Sequence, residues 1–187
     1  MVAALALLAG GVTACSSDAN SVASQAKAGD NKGYVAGDGT IEQIPVDQRG
    51  AAVDLSGTTL DGNLIDLADY RGRTVVLNIW GSWCAPCQKE APVLKEVAES
   101  VDPKEVAFIG IDSRESAASG LAQQKAWGHD FPSISDEGGT TPLALQGKAT
   151  ATPSTLVLDT QGRIAAVFRG PIERSPLEGM IEDAQKA

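Results

Sequence analysis

Two cysteines separated by two residues, Cys84 and Cys87, are the side chains of this sequence best suited to chemistry. At this spacing on one helical turn the two sulfurs are near enough to form a disulfide. A cysteine in its thiolate form is both a nucleophile and a metal ligand. The pair therefore predicts either thiol-disulfide exchange or metal binding, although two thiolates alone would leave a soft metal short of ligands.

The elements around this pair place Cys84 at a junction between a strand and a helix. The apolar, β-branched run at residues 74–80 predicts a buried strand. Apolar residues then recur at the three- and four-residue spacing of a helix with one buried face: Ala91, Leu94, Val97, Ala98 and Val101. Pro86 suits the first turn of that helix, where a backbone N–H has no helical partner.

This placement gives the two cysteines different expected roles. Unpaired N–H groups and the positive end of the helix dipole favour a thiolate at Cys84, which we therefore expect to be the attacking nucleophile. Cys87 lies about one turn deeper, and we expect it to be the more buried, resolving cysteine.

The sequence resembles the thioredoxin superfamily, and within it the TlpA/ResA-like branch of extracytoplasmic thiol-disulfide oxidoreductases. Besides the cysteines, the resemblance rests on Trp83, on Pro92 five residues after Cys87, and on Ala151-Thr152-Pro153 before a predicted strand. It covers the chain from about Val53 to the C-terminus. It implies that the Thr152–Pro153 peptide bond is cis and lies beside the disulfide, and that four residues contact the client protein: Trp83, Pro86, Thr152 and Pro153.

Two positions bear on the proton of Cys87. Asn78 stands where thioredoxin has a buried aspartate, and an asparagine cannot take up that proton. TlpA/ResA-like proteins tend to have a glutamate three residues after the second cysteine, and Glu90 occupies that position. Because residues i and i+3 share a helix face, we expect Glu90 to transfer a proton to or from Cys87. The alternative is that Glu90 only complements the positive end of its helix.

Composition excludes several other functions. The net charge is −9 and Lys and Arg form no cluster, which argues against a nucleic-acid surface. Phosphate-binding glycine loops are absent from the sequence, and two cysteines alone leave a soft metal short of ligands, so we expect no cofactor beyond the dithiol itself and no metal. The single histidine, His129, is expected on the surface, and Trp80 in the core.

The N-terminal residues predict a lipoprotein signal. An apolar run too short for a bilayer, which takes about 20 residues, precedes Val12-Thr13-Ala14-Cys15, and this tetrapeptide resembles a bacterial lipobox. We expect residues 1–15 to be the signal peptide and lipobox, with Cys15 as the lipidated residue, and 16–50 to be a flexible tether and extended arm. Signal peptides usually begin with Lys or Arg, yet none precedes Lys27. The alternative is that Cys15 is an unpaired thiol or pairs elsewhere.

Residues 51–187 predict one α/β domain with a thioredoxin fold, in which helices cover both faces of a mixed four-stranded sheet. An N-terminal β-hairpin precedes this fold, and residues 115–146 are the insertion typical of the TlpA-like branch. Six further elements are predicted: a strand at 106–112, a helix at 115–127 capped by Ser113, a strand at 131–134, a helix at 141–146, a hairpin at 154–168, and a final helix begun by a capping box at 175–178.

Together the site and the resemblance predict a membrane-tethered disulfide reductase. A DsbA-type oxidant has a histidine between its cysteines, whereas this chain has Ala85-Pro86. The resemblance implies cysteine-containing extracytoplasmic clients, including apocytochrome c during cytochrome c maturation, and a membrane electron donor of the CcdA/DsbD type. The protein would be a monomer, anchored by lipid to the outer face of the bacterial cell membrane.

Other classes fit the residues less well. The same pair could run in reverse as a disulfide-forming oxidase or isomerase, because direction depends on the reduction potential. A copper-chaperone-like module would use a C-x-x-x-C motif with a distant histidine ligand, and a peroxiredoxin would have threonine where this chain has Gly81. A structural disulfide without turnover is a further alternative. Attachment of c-type haem is excluded because Gln88, not histidine, follows Cys87.

Overall fold

The computed structural model describes residues 37–186. The predicted signal peptide, the lipidation site Cys15 and the tether up to residue 36 lie outside the described residues. Within residues 37–186, none of the helices is both long enough and apolar enough to cross a membrane.

Eight strands and four α-helices make up this part of the chain. In order they are β1 Ile41–Gln43, β2 Ser56–Thr58, β3 Leu64–Asp66, β4 Thr74–Trp80, α1 Ala85–Ser100, β5 Val106–Ser113, α2 Ala117–Trp127, β6 Ser133–Asp136, α3 Thr141–Ala144, β7 Ser154–Leu158, β8 Ile164–Arg169 and α4 Arg174–Gln185. Two 3₁₀ turns, at Val46–Gln48 and Leu67–Tyr70, lie between β1 and β4.

Six of the strands form one mixed sheet in the order β1-β8-β7-β4-β5-β6. The helical crossovers make β4, β5 and β6 parallel, whereas β7, β8 and β1 are added antiparallel. The mixed sheet between helices confirms the predicted α/β class, but the predicted number of four strands is wrong. The additional strands are short: β1 pairs with β8 at one edge and β6 pairs with β5 at the other.

The central strand β4 separates two parts of the core. All seven of its residues are buried, as expected of a strand covered on both faces. Leu77 and Ile79 pack on one face in a cluster that includes Ile65 of β3. Val76 on the other face packs with residues of α1 and α4. Because side chains alternate along a strand, Asn78 and Trp80 point to the same face as Val76, toward α1 and the cysteines.

Two predicted helix starts are wrong. Helix α2 begins at Ala117, and its cap is Ser116, whose hydroxyl accepts a hydrogen bond from the Ser119 N–H, while Ser113 is the last residue of β5. Helix α4 begins at Arg174 after Glu173, with no side-chain cap, so the capping box predicted at Ser175 does not form. Its predicted inward face is confirmed, because four residues are buried there: Leu177, Met180, Ile181 and Ala184.

His129 is buried, so the prediction of a surface histidine is wrong. Its side chain lies between two aromatic rings, with centroid distances of 4.6 Å to Phe131 and 5.5 Å to Trp127. Its Nε2 lies 2.9 Å from the carbonyl oxygen of Ala91 in α1. Burial lowers the pKa of His129. Its sequence neighbours, Gly128 and Asp130, suggested a surface loop, whereas the two aromatic rings and α1 cover the His129 side chain.

Candidate active site

The two cysteines form a disulfide at the start of α1. Cys84 is the N-cap residue and Cys87 lies in the first turn, with their Cα atoms 5.3 Å apart. The sulfur of Cys84 accepts a hydrogen bond from the Cys87 N–H at 3.2 Å, which places it at the positive end of the helix. Each cysteine is only 1% exposed, so Cys87 is not the more buried of the two in this disulfide form.

An apolar cluster surrounds the sulfurs. Leu60 and Trp80 are buried with the cysteines, and Trp83 and Trp127 pack against them. The rings of Trp80 and Trp127 lie 4.9 Å apart between centroids. Trp80 is 2% exposed and thus a core residue, as predicted. These neighbours withhold water from the sulfurs and so disfavour a charged thiolate.

The turn that leads into the disulfide, residues 81–84, is closed by a hydrogen bond from the Cys84 N–H to the Gly81 carbonyl oxygen at 3.1 Å. The indole of Trp83 folds back over this turn and donates to the Ser113 carbonyl oxygen at 2.9 Å. A Cβ atom at position 81 would lie 2.4 Å from the Trp83 Nε1, so this fold-back requires glycine. Trp83 is half-buried, as is Pro86 in the first turn of α1.

Glu90 occupies a closed polar pocket behind the cysteines. It is 1% exposed and lies one turn after Cys87 on α1. One carboxylate oxygen accepts from the Asn78 side-chain amide at 2.8 Å, and the other from the Ile172 backbone N–H at 2.9 Å. Asn78 also lies 3.2 Å from the Thr155 hydroxyl oxygen.

Burial raises the pKa of Glu90 to about 8, although the hydrogen bonds from Ile172 and Asn78 act in the opposite direction. The group can therefore both hold and release a proton near neutral pH. Glu90 is the sixth residue of α1, and the stabilising effect of a helix dipole falls off within the first turn. This position favours a proton-transfer role over a simple complement to the dipole.

The loop before β7 reaches the same end of the sheet. The Thr152–Pro153 peptide bond is cis. Ser154 pairs with Ile79 near the end of β4, so Pro153 lies beside the residues that lead into the active-site turn. Pro153 is buried, its carbonyl oxygen accepts from the Gly170 N–H at 2.9 Å, and Thr152 is half-buried.

Several residues of the site were not predicted from the sequence, among them Ile172 and Glu115. Ile172 contributes only a backbone N–H from the loop before α4, and no sequence signal identifies such a donor. Glu115, predicted to begin a helix, instead contacts Ser82 in the active-site turn. The proximity of Glu115 to Ser82 could have been inferred from the parallel pairing of β4 and β5, because the residues that follow two adjacent parallel strands emerge at the same edge of the sheet. Within residues 37–186, no group of three or more His, Cys, Asp or Glu side chains could hold a metal ion.

Comparison with known proteins identifies relatives of this arrangement. A family model described as Redoxin matches residues 42–184. The thiol-disulfide oxidoreductase ResA of Bacillus thuringiensis subsp. konkukian (strain 97-27) is 31% identical over 125 residues, which are 67% of this chain and 71% of that protein. The family match spans every residue of the site described above.

Two solved structures from Corynebacterium resemble the fold closely. A DsbF homologue from Corynebacterium diphtheriae is 35% identical with a TM-score of 0.72, over 80% of this chain and 96% of that chain. A protein from Corynebacterium glutamicum described as a secreted thiol-disulfide isomerase is 30% identical with a TM-score of 0.73, over 81% of this chain and 96% of that chain. The sheet and helices described here therefore have counterparts in solved structures.

Proposed function

The chain belongs to the Redoxin family and is a TlpA/ResA-like thiol-disulfide oxidoreductase, and from this premise we propose that it reduces disulfides in client proteins outside the cytoplasm. The observation that supports the reducing direction is the apolar burial of both sulfurs, each 1% exposed. Burial disfavours thiolates, which destabilises the dithiol relative to the disulfide and lowers the reduction potential. The helix N-terminus retains enough thiolate at Cys84 for attack.

The first half of the cycle passes two electrons to the client. The Cys84 thiolate attacks one sulfur of the client disulfide, which forms a mixed disulfide and releases a client thiolate. Cys87 gives its proton to the Glu90 carboxylate and then attacks the Cys84 sulfur. The second client thiolate leaves, so the client is reduced and the enzyme is left as a disulfide with Glu90 protonated.

The second half restores the dithiol at the expense of an electron donor. A donor thiolate attacks Cys84, and Cys87 leaves as a thiolate that takes the proton back from Glu90. A second donor thiol then releases Cys84. The pKa of Glu90, about 8, is much closer to the ordinary value of a thiol, about 8.5, than the pKa of an exposed glutamate is, so proton transfer in either direction costs less than it would with an ordinary carboxyl group.

Binding of the client involves the rim of the disulfide in this proposal. Trp83 and Pro86 are half-buried on one side, and the Thr152–Pro153 loop lies at the same end of the sheet. The backbone of Thr152 would pair with an extended client segment, and the aromatic face of Trp83 would cover it.

We also propose where the protein acts in the cell. It would be a monomer that a lipid on Cys15 anchors at the outer face of the cell membrane. A membrane donor of the CcdA/DsbD type would supply electrons, and apocytochrome c would be among its clients. The relative from Corynebacterium glutamicum is described as secreted, which supports a location outside the cytoplasm. Loss of membrane association in a Cys15→Ser variant of the full chain would support the anchor, and unchanged association would oppose it.

A disulfide-forming or isomerising role is the second candidate, because the Corynebacterium glutamicum structure is described as an isomerase. The reduction potential separates the two directions. We expect equilibration with glutathione to give a value nearer to thioredoxin's roughly −270 mV than to the roughly −120 mV of DsbA. A value near the latter would reverse the proposed direction.

The roles of the two cysteines are tested by serine variants in an insulin reduction assay with dithiothreitol as the donor. We expect Cys84→Ser to abolish turnover, and Cys87→Ser to accumulate mixed disulfides with the substrate, because the resolving thiol is missing. Cys15→Ser is the matched control and should retain turnover. Normal turnover of Cys84→Ser would refute the mechanism.

A further inference from the structure

We propose that Glu115 is a positioning residue for the exchange reaction. Its side chain joins the active-site turn to the segment after β5, and its contact with Ser82 holds a negative charge two residues before Cys84. This inference rests on the proposed role of Cys84 as the attacking cysteine. It concerns how the chain holds that cysteine and how strongly it favours the thiolate.

Both corner residues of the active-site turn are tied to the same short segment. The backbone N–H and the hydroxyl of Ser82 donate to the two carboxylate oxygens of Glu115. The next residue, Trp83, donates its indole N–H to the Ser113 carbonyl oxygen at 2.9 Å. Residues 113–115 therefore hold the turn through a charged side chain and a backbone carbonyl, and charge-assisted hydrogen bonds such as those to Glu115 are the stronger kind.

The backbone between these two anchors has an unusual conformation. Arg114 has a φ of 63°, in the left-handed region that residues other than glycine rarely occupy. Its N–H donates to the Asp136 carbonyl oxygen at 2.9 Å, which fixes this bend to β6. The bend directs the Ser113 carbonyl and the Glu115 side chain toward the same turn. Backbone conformations of this kind concentrate at functional sites, where surrounding contacts maintain them.

The charge on Glu115 has a chemical consequence beyond its contacts. A carboxylate near Cys84 repels a thiolate and so opposes the effect of the helix N-terminus. Glu115 is half-buried, so water screens this repulsion only in part. Its removal should therefore make the thiolate easier to form and the dithiol more stable relative to the disulfide.

The test compares two variants that remove the same charge. Glu115→Gln removes it at the active-site turn, whereas Glu105→Gln removes it from an exposed position just before β5, about 26 Å along the strand from Ser113 at about 3.3 Å per residue. The pH dependence of iodoacetamide alkylation is measured on the reduced protein, with peptide mapping so that only Cys84 is followed. The reduction potential is measured against glutathione.

We expect Glu115→Gln to lower the pH midpoint of Cys84 alkylation by about half a unit. We also expect it to shift the equilibrium with glutathione about threefold toward the dithiol, or about 14 mV. Glu105→Gln should change neither quantity. Equal midpoints and potentials in the two variants, even with a lower melting temperature for Glu115→Gln, would overturn the proposal and leave Glu115 as a purely structural contact.

A second variant keeps the test decisive if Glu115→Gln does not fold. Ser82→Ala removes one of the two hydrogen bonds and lets the carboxylate move away from the turn, so we expect a smaller shift of the midpoint in the same direction. No shift in this variant would overturn the proposal. Loss of turnover in Cys84→Ser together with an unshifted Cys84 midpoint in Glu115→Gln and Ser82→Ala would refute this inference alone and leave the proposed function intact.

Discussion

Replacement of Glu90 by glutamine should stabilise the disulfide form of the protein at pH 8. Burial raises the pKa of Glu90 from 4.5 to about 8. Between pH 4.5 and about pH 8, Glu90 retains a proton in the folded protein that it has lost in the unfolded chain, so the free energy of unfolding falls as the pH rises. At about 1.4 kcal/mol per pKa unit, the loss is at most about 5 kcal/mol. Glutamine does not titrate and avoids this loss.

The glutamine side chain fits the hydrogen bonds of the pocket. Its oxygen can accept from the Ile172 N–H, which is 2.9 Å from a carboxylate oxygen of Glu90. Its NH₂ group would face Asn78, whose amide can turn to present its own oxygen. Because both contacts are kept, we expect Glu90→Gln to gain about 4 kcal/mol over the wild type at pH 8, where about half of the folded wild type is ionised, and little or nothing at pH 4.5.

Urea unfolding of the oxidised proteins from pH 4.5 to 9 measures this difference. The cysteines are joined as a disulfide and do not titrate. His129, whose pKa is lowered by burial, contributes equally to both proteins and cancels. Glu105→Gln, at an exposed site, should follow the wild type at every pH. A constant difference between the wild type and Glu90→Gln over this range would show that Glu90 ionises normally, and the proposed proton transfer would fail with it.

Two further substitutions test one contact at the end of the sheet away from the cysteines and one contact within the active-site turn. Arg49 and Asp159 form a buried ion pair 2.9 Å apart, with side chains 6% and 2% exposed. Arg49→Ala removes this pair and should lower the free energy of unfolding, measured in urea, by about 3 kcal/mol. This value is at the low end of the usual range because Arg163 still contacts Asp159 at 2.8 Å. A loss below about 1 kcal/mol would contradict a structural role for the Arg49–Asp159 pair. Gly81→Ala should displace the Trp83 indole, lower the free energy of unfolding by about 1–3 kcal/mol and speed the alkylation of reduced Cys84. An unchanged tryptophan fluorescence spectrum and an unchanged alkylation rate would oppose this reasoning.

Features set by neighbours in sequence were predictable. The run at 74–80 has the bounds of β4, and the spacing of cysteines, proline and apolar residues placed Cys84 at the start of α1. The strand predicted at 131–134 overlaps β6, but nothing in the sequence indicated that β1 and β6 would both join the main sheet. Each has only three or four residues, and their pairing depends on β8 and β5, which lie elsewhere in the sequence. Short runs of this kind contain too little periodicity to identify the strand with which they pair.

Contacts between loops were the least predictable part of the site. The Ile172 N–H that reaches Glu90 belongs to a residue 82 positions later, and any residue other than proline could supply it. His129 was placed on the surface because its neighbours in sequence, Gly128 and Asp130, are typical of loops. Its burial follows from the rings on either side and from α1, which only the folded chain brings together.

The pairing of Asn78 with Glu90 supports the proposed proton transfer in a site that lacks thioredoxin's buried aspartate. The two side chains are in direct contact, with the Asn78 amide nitrogen 2.8 Å from a Glu90 oxygen. Two carboxylates at that distance could not both ionise, so a second acid at position 78 would compete with Glu90 for one charge. A neutral amide instead donates a hydrogen bond and makes the ionised form of Glu90 attainable despite burial. Burial raises the pKa of Glu90 and two hydrogen-bond donors limit the rise. The resulting value, about 8, lies close to the ordinary value of a thiol, about 8.5, as the proposed proton exchange with Cys87 requires.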